Sequence, residues 1–486
     1  MNKLGVTTAA LALLAGASSA LAQNSLETTL DLMVRGMIDD GSQVTYDDRI
    51  TGGDGSVEYR NLSITSPDGT SKLSTAWIKG VPSAADPSVV TFTVANTITI
   101  TGTGEGAEFT AEILSRGLEF TTNGLLREAM SNDDITVEFK ADSLRLEGGD
   151  PASPVLRDLN ADFGEVTFNM VAAEADKRVE GSLDFSKFDL VYDITVDGQI
   201  QKAEQTAEAN SVTFAFDVPD SEEDAMGYLD GSKSAMVKMS SGPSTFDSSV
   251  DSPEVSFDMS VTSGDSSILL EMVDGTFTYD MRGDGLQMTI TPGGGMPFPP
   301  VDLGFGELVM LVVAPLNSAA APEKAAIRLL MADMTVGEGL WSMIDPGKTI
   351  PRDPAQIDID LEAMVQIDPM VAAAGGDPAE AAKILSLDVN RFLLAIGGAS
   401  AEMDGALTFN NAGPFPMPLG SINIDLNGIN GLADKLVAIG LIDQMQVGMA
   451  LGMMMAFGKP GDNPDQFVSE ITFTEGGILA NGQPIQ

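Results

Sequence analysis

Val90-Thr-Phe92-Thr-Val94-Ala-Asn-Thr97-Ile98-Thr99-Ile100 sets Val90, Phe92, Val94, Ile98 and Ile100 on one side of an extended chain. Thr91, Thr93, Thr97 and Thr99 fall on the other. A period of two marks a strand with one buried and one wet face, the habit of antiparallel sheets. The rhythm returns in Ile135-Thr-Val137-Glu-Phe139, Val212-Thr-Phe214-Ala-Phe216-Asp-Val218 and Val255-Ser-Phe257-Asp-Met259-Ser-Val261. It continues in Ile357-Asp-Ile359-Asp-Leu361 and Ile422-Asn-Ile424-Asp-Leu426. Turn signals stand between: Gly52-Gly53-Asp54-Gly55, Pro67-Asp68-Gly69, Asp274-Gly275 and Gly283-Asp284-Gly285. Gly102-Thr-Gly104-Glu-Gly106 joins them as a hairpin turn, because Glu105 would repel a pyrophosphate. The expected fold is mainly β: large curved antiparallel sheets in a hairpin meander, arranged in two lobes, with a few short helices on the C-terminal lobe.

Pro292-Gly-Gly-Gly-Met-Pro-Phe-Pro-Pro300 is the strongest punctuation. With 486 residues the chain exceeds the ~250–300 at which single cores stop growing. The stretch therefore divides an N-terminal β lobe, 23–291, from a C-terminal one, 301–486. Just after it, Phe305 to Pro315 and Ala325 to Val336 are apolar on both faces, as a helix or a doubly buried strand would be. Strands are preferred: 317–323 suits a hairpin loop and Pro315 stops the first run. Asp377-Pro378-Ala379-Glu380 opens a short helix near 377–385. Residues 431–457 form the best helical stretch, broken near Gly440, with Met445, Met449 and Met453 stacked at i, i+4 and i+8.

Met1 to Ala22, MNKLGVTTAALALLAGASSALA, has one Lys, a short apolar run and an Ala-Leu-Ala end. This is the pattern of a secretory signal peptide, too short in its apolar part to span a bilayer. It predicts export to the periplasm, or secretion, and no transmembrane segment after its removal. With 5 Tyr, 2 Trp and a non-aromatic C-terminus, the chain lacks the girdles of an outer-membrane barrel.

The chain has no Cys and no His. Disulfides, Cys/His zinc sites, thiol nucleophiles and Ser-His-Asp triads are excluded. No catalytic residue, cofactor or metal site is assigned. The net charge of −45 speaks against nucleic acid and anionic headgroups, which require Lys/Arg clusters. Its acids are scattered through strands and turns, as on a solvated surface.

Leu340-Trp341-Ser-Met-Ile-Asp345-Pro346 and Thr349-Ile-Pro351-Arg352-Asp353-Pro354, followed by the alternating strand from Ile357, resemble one signature. It is that of an alphaproteobacterial envelope family, domain of unknown function 2125. Leu387 to Phe409 and Glu470 to Ile485 are similar to its C-terminal part, and the first of these implies a strand over Val389 to Ile396. Ile350 stands where the family pattern has Leu. The resemblance covers about 300–486 and implies a periplasmic place in a Gram-negative cell, with no activity to carry over.

Trp341, Asp345, Pro351, Arg352, Asp353 and Pro354 form the most specific constellation. As a ligand clamp, Arg352 would grip a carboxylate or phosphate. As a structural corner, the prolines fix φ, Arg352 pairs with Asp345 or Asp353, and Trp341 caps the core. The corner is preferred. Met445, Met449, Met453 and Phe457 are candidate ligand-lining residues, on a deformable surface for acyl chains or partner helices; the plainer reading, that they pack as core, is preferred. The leading expectation is a non-enzymatic periplasmic β-protein whose concave apolar sheet face holds a lipid-like ligand or docks an envelope protein. A carboxylate-dependent hydrolase and a purely structural envelope scaffold are the alternatives.

Overall fold

The computed structural model describes residues 29–485 except 105–106, 124–133, 151–152, 154–155, 174, 197–198, 222–223, 253–255, 294–297, 374–380 and 414. The leader-like residues 1–22 and the Asp377-Pro378 helix start lie outside the described residues. The structure is 64% strand and 12% helix, which makes it a mainly β protein. The helices are α1 Thr29–Asp39, α2 Gly227–Asp230, α3 Glu338–Ile344, α4 Pro369–Ala373, α5 Ile429–Ala438 and α6 Gln444–Phe457. No helix among the described residues is long and apolar enough to cross a membrane.

Two compact units are present: residues 1–218 with 246–255, and residues 219–245 with 256–486. The Pro292–Pro300 stretch, the expected lobe boundary, falls within the second of these units. Strands Thr276–Pro292 and Val301–Pro315 pair antiparallel across it, from Thr276 opposite Pro315 to Ile290 opposite Val301. A Pro- and Gly-rich stretch ends strands equally well at a hairpin and at a lobe boundary.

The first unit carries the one cluster of buried apolar side chains among the described residues. Leu30, Met33 and Val34 of α1 pack on Val57, Tyr59, Leu62, Ile64, Val90, Phe92 and Phe120 of the strands. Asp31, in the first turn of α1, is buried beside them. It accepts hydrogen bonds from Arg49 Nε at 2.7 Å and from the Tyr59 hydroxyl at 2.5 Å. The pairing satisfies the carboxylate and holds the Arg49 guanidinium above its ordinary value. Beyond this cluster run very long strands, Leu156–Ala173, Arg178–Val196 and Gln199–Asp217. At their middle Phe139 faces Phe168, Phe168 faces Leu183, and Leu183 faces Val212, while the register shifts near Leu156 and Gly164.

The second unit is a ladder of hairpins. The two-residue turns Asp274-Gly275 (φ 50 and 69°) and Gly397-Gly398 (φ 62 and 86°) supply the positive φ that twisted strands require. The expected turn at Gly283-Asp284-Gly285 lies instead inside strand Thr276–Pro292. There Gly285, at φ 61°, marks where the strand exchanges one partner, Ser266–Val273, for another, Ser256–Ser263. Phe305 to Pro315 and Ala325 to Val336 are strands, within Val301–Pro315 and Glu323–Val336. They are not doubly buried, since Met310 is 39% and Ile327 50% exposed. The helix expected to reach Leu385 is replaced by strand Ala382–Ile396. That strand pairs with Ala355–Ile367 and Ala399–Asn410 on its two sides, and these ladders outweigh the local helix-start signal. The 431–457 stretch is two helices, parted at Gly440, which takes φ 76°.

Candidate functional site

Alternation along each strand and register between strands together sort the second unit's sheet into two chemically distinct faces. On one, Ile268 stands opposite Met281, Met281 opposite Met310, Met310 opposite Leu329 and Leu329 opposite Ile359. The row continues through Phe392, Met403 and Ile424. At the next position on the same face, two residues along most of the strands, Leu270, Tyr279, Val312, Ile327, Leu361 and Val389 form a parallel row. At ~4.8 Å between strands, eight apolar residues in line span roughly 35 Å. That is about twice the ~15 Å depth of one bilayer leaflet's hydrocarbon.

The opposite face carries the charges. Asp280, Asp358, Asp360, Glu362, Asp388, Glu402 and Asp425 all fall there, by the same register. Arg328 bridges Asp358 at 3.1 Å and Asp360 at 2.9 Å, and Arg391 Nε reaches Asp358 Oδ2 at 3.2 Å. Long charged side chains so placed roof their own face, and Val309 and Leu393, on that side, are buried. Among the described residues no such roof covers the apolar face. Leu270 is 38% exposed, Met310 39% and Leu394 42%, and the apolar residues of the two rows are at most half-buried.

Of the residues singled out from sequence, Trp341, Asp345 and Arg352 meet. Asp345 is fully buried at the end of α3. Its Oδ1 accepts the Thr349 amide at 3.0 Å; its Oδ2 accepts the Ile350 amide at 2.7 Å and Arg352 Nη1 at 2.9 Å. Arg352 also donates to the carbonyls of Ile350 and Asp345, each at 2.8 Å. Its guanidinium lies 4.1 Å from the centre of the Trp341 ring. Desolvation pushes the Asp345 carboxyl up, but the Ile350 and Thr349 amides and Arg352 outweigh it and hold it at about 2. The partner of Arg352 is thus Asp345; Asp353 and Pro354 are exposed. The guanidinium spends both terminal nitrogens on the protein's own oxygens. Ile350 and Pro351 tuck beneath the Gly397-Gly398 turn, where a Cβ on Gly397 would come within 3.1 Å of Ile350 and 3.0 Å of Leu432 in α5.

The methionine helix differs from the core alternative. Met445 is 72%, Met449 60% and Met453 62% exposed, and Phe457 39%. Val447 is the residue of α6 that is buried. The helix is apolar on every side, so sequence periodicity carried no signal of which side would face the protein. It is fixed at its ends: Asp443 and Gln446 form a reciprocal cap, and the Phe457 carbonyl accepts bonds from Ser469 Oγ at 2.6 Å and Asn481 Nδ2 at 2.8 Å. Ser469 stands opposite Ile424, at the end of one apolar row.

The carboxyl groups of Asp54, Asp68, Asp162, Asp230 and Asp345 are each held below the ordinary value by hydrogen bonds. The Asp31–Arg49–Tyr59 triad and the Arg328–Asp358–Arg391 bridge were not found from sequence. The signal for the second was present in two lone arginines, each set among apolar strand residues.

Residues 241–485 match the family described as "Uncharacterized protein conserved in bacteria (DUF2125)". The match begins well before residue 300 and takes in the strands from Ser256 onward. No curated protein and no solved structure matches the chain significantly.

Proposed function

The chain belongs to the family of uncharacterized bacterial proteins DUF2125, and from that premise we propose that it is a non-enzymatic periplasmic protein that holds acyl chains on the apolar sheet face of its second unit. The observation that carries this reading is the in-register apolar row from Ile268 to Ile424, in which Met310 is exposed and the other seven residues are only partly buried. Monomeric proteins seldom leave contiguous apolar patches beyond a few hundred Å² open to water, and larger ones mark binding surfaces. The face carries almost no hydrogen-bonding groups, so it suits a ligand recognised by apolar area alone. Extended strands offer parallel furrows between side-chain rows, which suit chains that are long and thin. The periplasmic place is supported by the leader-like residues 1–22.

The test is native mass spectrometry and organic extraction of the protein recovered after export, followed by titration with a fluorescent fatty acid. Co-purifying acyl lipid and saturable uptake, both lost in Ile359→Asp, are expected. A protein that emerges empty and takes up no probe overturns the reading.

A further inference from the structure

We infer that α6 is a membrane-surface docking element, which lays Met445, Met449 and Met453 into the acyl boundary of an uncharged or zwitterionic lipid layer. The helix runs fourteen residues without a charge, and three of its four turns present methionine to solvent. Between them Gly448, Gly452 and Ala456 are also exposed. Exposed amide side chains are confined to its first turn, at Gln444 and the cap residue Gln446; from Val447 to Phe457 no side chain carries a nitrogen or oxygen. A protein partner reads a surface through about one hydrogen bond per 100–200 Å², whereas a hydrocarbon layer asks for none. A second copy is disfavoured by charge, since each chain carries −45. The same charge, with Asp443, Asp462 and Asp465 near the helix ends and no cluster of Lys or Arg, rules against anchoring to anionic headgroups. Methionine is flexible and polarizable, and adapts to a disordered acyl surface without needing register.

The position of α6 adds to this. Its last carbonyl is held by Ser469, which stands opposite Ile424, the final member of the apolar row, on the neighbouring strand. The helix thus stands at the border of the sheet face on which acyl chains are proposed to lie. The docking itself rests on α6 alone; a role in loading that face rests on the acyl-chain reading.

Flotation of the exported protein with phosphatidylcholine vesicles at physiological salt tests the inference, with Met449→Asp, Met453→Asp and Met449→Leu compared on the same N-terminus. Wild type and Met449→Leu are expected to float. Each Asp is expected to weaken partition about tenfold while the far-ultraviolet circular dichroism is unchanged. Absence of flotation of wild type, flotation that the Asp variants leave unaltered, or a dimer by sedimentation that Met449→Asp dissociates would each overturn it. Ile359→Asp separates the two proposals: it removes acyl uptake and leaves flotation intact.

Discussion

Leu329 and Ile359 stand directly opposite each other on adjacent antiparallel strands, both half-buried, on the face with no roof. One residue along, Arg328 and Asp360 form the corresponding pair on the other face, bonded at 2.9 Å. A single step in the chain thus separates grease from charge, and a shift of register by one would exchange them.

Leu329→Asp or Ile359→Asp is expected to reduce fatty-acid binding at least about tenfold, since a carboxylate among acyl chains is unpaired. The stability cost should be about 1–2 kcal/mol, because the sites are half-exposed. Fluorescence titration and urea denaturation measure the two effects on the same samples. Large unfolding with no separable binding loss would show the face to be core.

Arg352→Lys should destabilise the second unit by about 1–3 kcal/mol. Lysine cannot bond Asp345 Oδ2 and two carbonyls at once, nor stack on Trp341 as a planar group. Tryptophan fluorescence during urea unfolding reports it. A variant as stable as wild type would mean that the corner positions the loop without stabilising it.

Asp345 also predicts a pH dependence. Its folded value, about 2, lies below the ordinary 3.8, so the folded state binds its proton less readily than the unfolded state. The carboxylate's contribution is therefore complete above about pH 4 and lost as pH falls towards 2. Stability measured from pH 5 to 2 should fall less steeply in Asp345→Asn than in wild type. Parallel curves would contradict the hydrogen-bonding account of this group.

Leu30→Ala, in the buried face of α1, should cost about 2–5 kcal/mol, a loss confined to the first unit. Hydrogen exchange on strand Val57–Thr65 reads it locally. Protection unchanged in that strand would mean that α1 rests on the sheet without supporting it.

Alternation alone made the mainly β, antiparallel class legible, because inward and outward neighbours along a strand meet opposite media. The Trp341–Arg352 neighbourhood was legible too, because prolines and an Asp-Pro pair restrict the backbone locally. What sequence left open was everything set by contacts distant along the chain. Asp345 rather than Asp353 receives Arg352 because the chain turns back and buries the former. Lys383 and Ile384 join a strand because they pair with Gln366 and Val365 of a strand distant along the chain. Pro292–Pro300 joins two paired strands, since Pro and Gly end a strand whatever follows. Above all, whether the apolar rows meet a second layer depends on the arrangement of whole sheets, and in the second unit the charged face is roofed while the apolar face stays open.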